Sequence, residues 1–243
     1  MDFKHIVVLT GAGISAESGI PVFRSETGLW EQERIEDVCV PEALYRNPKK
    51  VHDFYNKLRR NLKDKVPNAA HLALTRLQEE WEKRGGTVTL VTQNVDDLHE
   101  KALSHDVIHM HGALRSIWCP RCDKRFPFEG DSAPGDVCPA CGAPDLRPDI
   151  VFFGEMPYSM GSIESALRQC SLFISIGTSG VVYPAAGFVQ VARSVKAHSV
   201  EFNLTPSATV SAFDKGIYGK ASQTVPEFVE SLLKGSYDPR SEN

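Results

Sequence analysis

Four cysteines stand as Cys119-x2-Cys122 and Cys138-x2-Cys141, with fifteen residues between the pairs. Two thiolates three positions apart can grip one ion from a tight turn, and two such turns complete a tetrahedral sulfur site. Pro120, Pro139 and Gly142 bring the turn-forming chemistry that such knuckles need. The competing readings are two disulfides or chance; the spacing of both pairs favours a metal, and we read one structural zinc ion per chain. A closed set of four sulfurs leaves no position for water, so this ion is expected to hold structure while the chemistry lies elsewhere.

Four further stretches could carry that chemistry. Gly11-Ala12-Gly13-Ile14-Ser15 follows an apolar run directly. Glycines there let the backbone approach a pyrophosphate, and the next helix N-terminus favours negative charge. The third glycine of the dinucleotide fingerprint is absent, and no acidic residue stands at a strand end about 20 residues on. A plain strand-to-helix turn therefore stays open on this segment alone. Thr92-Gln93-Asn94-Val95-Asp96-Asp97-Leu98-His99 also follows a strand-like run, so its polar side chains belong at the carboxyl edge of a sheet, where they could hold ribose hydroxyls; Asp96 or Asp97 could equally cap a helix. In Ile108-His109-Met110-His111-Gly112, strand alternation puts both histidines on one face. An unperturbed imidazole titrates at about 6.5, which suits a general base. We read His109 as structural and His111, beside a glycine, as the base. Finally, Leu146–Glu155 reads as an apolar strand, either buried or with an open edge that could pair with an extended peptide.

Positioning these groups requires a sheet. Ile6–Leu9, Val88–Thr92, Leu172–Ile176 and Val200–Asn203 are short β-rich runs. Helical patterns cover His71–Lys83, Ile163–Cys170 and Ala185–Ser194. Buried strands alternating with helices predict a parallel, doubly wound α/β sheet. Two segments interrupt it: a charged helical stretch at 32–66, with Asn47–Leu62 as its clearest helix, and the cysteine segment at about 113–148, expected to be held mainly by its metal. Gly235–Asn243 reads as a frayed tail. The net charge of −4 argues against nucleic-acid binding. No apolar run approaches the roughly 18–20 residues of a membrane span, and the apolar run after Met1–His5 is short for a secretory signal. Unpaired Cys39 and Cys170 fit a reducing compartment, so a cytoplasmic protein is expected.

GAGISAESGIPVFR (Gly11–Arg24), TQNVDDLH (Thr92–His99), HMHG (His109–Gly112), both CxxC knuckles, FFGE (Phe152–Glu155) and GTS (Gly177–Ser179) resemble the sirtuins, in the sirtuins' own order. The resemblance covers about residues 6–230 and is nearest to bacterial and archaeal NAD-dependent protein deacylases, including the class III branch that removes acidic acyl groups. It implies an α/β fold: a Rossmann-like NAD-binding domain (1–31, 67–112 and 149–243) with a small domain made of a helical module (32–66) and a zinc-ribbon module (113–148). It also implies that Gly11, Ala12 and Gly13 approach the phosphates, that Phe23 and Arg24 lie on a cofactor loop, and that Gln93, Asn94 and Asp96 line the nicotinamide-ribose pocket. Gly177, Thr178 and Ser179 would hold phosphate and ribose, Asn203 the adenine ribose, and Ala221 would border the adenine. The implied reaction displaces nicotinamide with the acyl-lysine carbonyl oxygen; His111, with Asn94 and Asp96, then activates a ribose hydroxyl, giving free lysine, nicotinamide and acylated ADP-ribose. The substrate, an acyl-lysine protein or peptide, would add a strand between Val151-Phe152-Phe153-Gly154-Glu155 and Val181-Val182-Tyr183. A monomer is expected.

One departure bears on substrate choice. The class III branch carries Tyr-x-x-Arg for an acyl carboxylate; here Tyr55 is followed by Leu58 in the arginine position, with Arg59 one residue later, about 100° around the helix. Either the helix turns Arg59 inward, or apolar acyl groups are preferred over succinyl; a buried carboxylate without a partner is costly, which favours the second. The rival functions are an NAD-dependent protein ADP-ribosyltransferase and an inert zinc-bearing binding module. The intact His111, Asn94 and Asp96 argue against the latter.

Overall fold

In His5–Thr10, the first strand (β1), side chains alternate between two apolar layers: Ile6 and Val8 join one, Val7 and Leu9 the other. A strand buried on both faces belongs inside a parallel sheet with helices on each side. The computed structural model describes residues 3–22 and 33–239 and bears this out. After β1 come α1 (Ala12–Ser15), α2 (Ile35–Val38), α3 (Pro41–Arg46), α4 (Pro48–Asn61), α5 (Ala69–Glu82), β2 (Thr87–Thr92), α6 (Leu98–Lys101), β3 (Ile108–His109), β4 (Gly112–Cys119), β5 (Lys124–Pro127), β6 (Arg147–Ile150), α7 (Met160–Gln169), β7 (Leu172–Ile176), α8 (Phe188–Ser194), β8 (His198–Asn203), β9 (Lys215–Tyr218) and α9 (Ala221–Leu233).

Among the described residues, six strands form a sheet in the order β3-β2-β1-β7-β8-β9, every neighbouring pair parallel. Leu74, Leu77 and Trp81 of α5 and Val225, Phe228 and Val229 of α9 cover the Ile6/Val8 face. Ile163 and Leu167 of α7 and Phe188, Val189 and Ala192 of α8 cover the other. From β1 the chain fills the sheet first to one side and later to the other. The loops after β1 and β7 therefore meet at a topological switch point, where open α/β sheets bind ligands.

A second, antiparallel sheet has the order β5-β4-β6. Helices α2–α4 pack on it and on the chain that follows: Val38, Val51, Phe54, Tyr55, Leu58 and Leu62 share a core with Leu114, Ile150 and Phe152. Asn47 caps α4, its side chain accepting from Lys50 N, and Pro48 takes the first helical position.

Three expectations change. The strand through His109 stops there, so His111 lies in the turn to β4 and does not share a strand face with it. The strand expected over Leu146–Glu155 ends at Ile150; Phe152–Glu155 is a turn, closed by Glu155 N donating to Phe152 O at 3.0 Å. The tail is docked at least to Tyr237, whose hydroxyl lies 2.7 Å from His198 Nε2 and whose ring packs on Phe228 at 4.8 Å. Tyrosine supplies both apolar area and a polar handle, which outweighs the loss of chain freedom. No helix among the described residues is long and apolar enough to cross a membrane.

Candidate active site

At the switch point two loops interlock. Gly11 N donates to Ile176 O and Gly13 N to Gly177 O, both at 2.9 Å, and Gly177 N donates to Phe202 O at 2.8 Å. A Cβ on Gly13 would come within 2.6 Å of Gly177 Cα, and Gly177 itself has φ +65°. The closeness that these glycines permit is thus first between the two loops, which leaves Ala12 and Thr178 half-buried and Ser179 exposed at the carboxyl edge. Asn203 ends β8; its Nδ2 donates to Thr178 O at 2.7 Å and its Oδ1 accepts from Leu204 N, so its amide braces the loop. Ala221 opens α9, where Glu17 accepts from Ser222 N at 3.0 Å and from Ser222 Oγ at 2.6 Å. Phe23 and Arg24 lie outside the described residues.

The loop after β2 joins this edge from the side. Asn94 is buried, and its Nδ2 reaches Gly11 O at 3.1 Å and Ser15 Oγ at 3.2 Å. Ser15 Oγ donates to Asp96 Oδ2 at 2.9 Å, while Asp96 Oδ1 accepts from Leu98 N at 3.1 Å. Burial lifts the Asp96 pKa above the ordinary carboxylate value, against the pull of those two donors. Beneath lies a second polar layer. Thr10 Oγ1 donates to Thr92 Oγ1 at 2.8 Å and must then accept from His99 Nε2, 2.9 Å away. Asp97 pairs with Arg115 of β4 at 3.0 Å and ties the edge to the small domain. Ser15 and the Thr10–Thr92–His99 set had no role in the sequence reading. Ser15 sits inside the glycine motif, and Thr92 and His99 are the two ends of the TQNVDDLH stretch, which were the available signals.

His109 and His111 separate here. The Nδ1 of each lies 3.1 Å from a carbonyl oxygen, Asn94 O for His109 and Gln93 O for His111. A carbonyl only accepts, so each Nδ1 carries hydrogen. On His109 the second nitrogen meets Glu100 Oε1 at 2.7 Å. Burial depresses its pKa, but the Glu100 hydrogen bond and charge outweigh that and leave it above the ordinary histidine value. His111 has only burial and the weaker opposing effect of Gln93 O, so its pKa falls below that value. It is neutral near pH 7, and its Nε2 carries the free lone pair.

On α4, Arg59 is buried: Nε donates to Leu114 O at 2.6 Å and Nη1 to Asn56 Oδ1 at 2.9 Å and to Gly130 O at 3.0 Å, while its Nη2, also buried, has no partner among the described residues. Through Nε and Nη1 it joins the helix to the small sheet, and it keeps the Nη2 donors unused. Tyr55 is fully buried and stacks on Phe152 at 5.7 Å. Leu58 lies in the same apolar core.

Of the expected peptide edge, Val151 is held by its N–H to His111 O at 2.9 Å; Phe152 is buried and Phe153 is 46% exposed. The Glu155 carboxylate turns inward to Arg147, so only its backbone and the adjoining Gly154 face outward. Opposite, Val181 and Tyr183 are exposed, Tyr183 at 77%, and Val182 O accepts from Ala186 N.

The four cysteine sulfurs lie within 4.8 Å of one another, with Cys119–Cys141 and Cys122–Cys138 both at 3.7 Å. Zn–S bonds of about 2.3 Å at tetrahedral angles separate sulfurs by about 3.8 Å, whereas a disulfide needs about 2.05 Å. The residues fit a closed zinc site and exclude the disulfide reading. Ile117 and Leu146 provide its small apolar support.

The model of the Sir2 family matches residues 11–184. The chain belongs to the Sir2 family. A protein of Vibrio vulnificus named NAD-dependent protein deacylase is 55% identical over 234 residues, covering 95% of this chain and 94% of that protein. An Escherichia coli protein of the same name is 52% identical over 238 residues, covering 97% and 84%. Among solved structures, a Sir2 homologue–NAD complex superposes with a TM-score of 0.86 at 37% identity, covering 97% of this chain and 92% of that one. The Rossmann-like sheet and the cysteine-bearing small sheet are those of this Sir2 family.

Proposed function

We propose that this protein is an NAD-dependent protein-lysine deacylase. The observation that carries the reading is His111, a half-buried neutral imidazole with Nδ1 fixed on Gln93 O and Nε2 unprotonated, at the edge where the glycine loops and the Ser15–Asn94–Asp96 cluster meet. Buried polar groups beside glycine-dependent loops suit a ribose-phosphate ligand. Gly11, Ala12, Gly13, Gly177, Thr178 and Ser179 would hold the phosphates of NAD, Gln93, Asn94 and Asp96 its nicotinamide ribose, and Asn203 and Ala221 its adenosine. NAD supplies a cleavable nicotinamide–ribose bond and ribose hydroxyls that accept the acyl group. His111 Nε2 takes the proton from the accepting hydroxyl, while Gln93 O keeps the ring in the required tautomer. Asp96 and Asn94 orient the edge through Ser15. The zinc held by Cys119, Cys122, Cys138 and Cys141 supports the small sheet.

The acyl-lysine peptide would lie extended between residues 151–155 and 181–183, recognised mainly through its backbone. With Leu58 apolar and Arg59 tied to the fold through Nε and Nη1, acetyl and longer apolar acyl groups would fit better than succinyl. We further propose a cytoplasmic monomer that binds no nucleic acid. Mass spectrometry of a panel of acyl-lysine peptides incubated with NAD tests the activity. Nicotinamide and acylated ADP-ribose are expected; ADP-ribose transferred to protein, with no acylated product, would replace the reading with a transferase.

A further inference from the structure

The turn at Phe152–Glu155 is held from outside by one arginine. Arg147 Nη1 donates to Glu155 Oε1 at 2.7 Å, and Nη2 donates to Glu155 Oε2 at 3.1 Å and to Ile150 O at 3.0 Å. Glu155 Oε2 in turn accepts from Phe152 N at 2.8 Å, so the carboxylate closes the turn while gripping the guanidinium. The same guanidinium lies 4.1 Å from the Phe152 ring centroid and 5.1 Å from that of Trp118. Its side chain is 9% exposed.

Trp118 sits opposite Arg147 in the β4–β6 ladder and immediately precedes Cys119. One side chain therefore touches the residue next to a metal ligand, the end of β6 and both ends of the turn. The chemistry selects arginine. A planar fork can satisfy both carboxylate oxygens and still present its flat faces to two aromatic rings; an ammonium can do neither. A half-buried Glu155 without that partner would turn toward water and release Phe152 N.

We propose that Arg147 is a positioning residue for the peptide substrate, setting the shape of the Phe152–Glu155 turn and making that shape depend on the zinc-bearing sheet. The proposal rests on the reading of this turn as the peptide edge. It gives a zinc ion that does no chemistry a route by which to affect turnover, through Cys119, Trp118, Arg147 and Glu155.

The test compares Arg147→Lys and the milder Glu155→Gln with wild type as zinc-loaded full chains, measuring metal content, KM for NAD, KM for an acetyl-lysine peptide, and amide hydrogen exchange across 151–155. Loss of one charge-assisted hydrogen bond should raise the peptide KM by about tenfold. Exchange at Phe152 and Glu155 should quicken, with zinc content and KM for NAD unchanged. Unaltered exchange in both variants would overturn the coupling. A parallel rise in both KM values would reduce Arg147 to a general stabiliser and overturn its specific role. If wild type itself turns over no acyl-lysine peptide, the deacylase reading fails separately, and the exchange measurement still decides whether Arg147 shapes the turn.

Discussion

The turn at His109–His111 and the helix face at Tyr55–Arg59 each offer neighbouring side chains for one task. In the turn, both histidines anchor Nδ1 on a carbonyl at 3.1 Å; Glu100 occupies the second nitrogen of His109, whereas that of His111 stays free to accept a proton. On α4, Arg59 has the charge an acyl carboxylate would want; Leu114 O, Asn56 and Gly130 O hold its Nε and Nη1, and its Nη2 has no partner among the described residues. Leu58, without charge, keeps the position. In both regions residue type nominates two candidates, and hydrogen-bonding capacity used inside the fold separates them, wholly for His109 and in part for Arg59, whose Nη2 has no partner among the described residues. The regions differ in outcome. The turn retains a reactive group, while the helix carries the apolar Leu58 followed by an arginine with that one nitrogen unpartnered.

The strongest way to break this contrast is at the turn. His111→Ala should lower turnover by about 10²–10⁴-fold, the usual worth of a general base, with zinc content and far-UV signal intact. His109→Ala should act mainly on thermal stability. A larger kinetic loss from His109→Ala than from His111→Ala would reverse the assignment. On the helix, Leu58→Arg should raise succinyl-lysine turnover relative to acetyl-lysine by roughly ten- to a hundredfold, since one charged hydrogen bond is worth about 1.5–3 kcal/mol. Arg59→Leu should weaken both substrates alike and lower the melting temperature; selective loss of succinyl turnover would make Arg59 the reader after all.

The pH dependence sharpens the contrast further. The lowered pKa of His111 places the acid limb of kcat/KM below about 6.5, the ordinary histidine value. For stability the two signs oppose. The folded pKa of His109 is raised, so its contribution is complete below about pH 6.5 and fades as pH rises through the folded value. That of His111 is lowered, so its contribution is present above about pH 6.5 and is lost as pH falls through the folded value. The smallest effect is Glu100→Gln. With Glu100 part-exposed, the pair is worth about 0–1 kcal/mol, or up to about 4 °C, and the difference from wild type should shrink as pH rises. A constant difference from pH 5 to 9 would dissociate Glu100 from His109 titration, whose ordinary midpoint is about 6.5.

The sequence was most legible where local pattern decides structure. The run Leu172–Ile176 is β7 residue for residue, because four apolar side chains and Ser175, buried on both faces, leave no alternative to a central parallel strand. The cysteine knuckles carry their geometry in their spacing. Less legible were features made by distant partners. Ser15 meets Asp96 across 81 residues, and nothing local to either announces the other. Arg147 had no part of its own in the Leu146–Glu155 run, since its role depends on Glu155 folding back over it. The Phe152–Glu155 turn was misread as strand because its apolar content comes from packing on α4, not from a sheet ladder. Tyr237 looked like tail because docking depends on Phe3, His198 and Phe228, which are remote in sequence.

Gly112 and Ile150 face each other where β4 begins and β6 ends. A side chain on Gly112 would place its Cβ 2.0 Å from Asp149 O, so the two strands meet there at glycine distance. The small sheet thus leaves and rejoins the main fold through a single doorway. Growth at its far tip costs little, since doubling a flexible loop adds only about 0.6 kcal/mol of closure entropy. A change at the doorway has a different reach, because Val151 N bonds to His111 O at 2.9 Å beside it. The architecture therefore separates a part of the molecule free to vary in length over evolution from a threshold that cannot shift without moving the base.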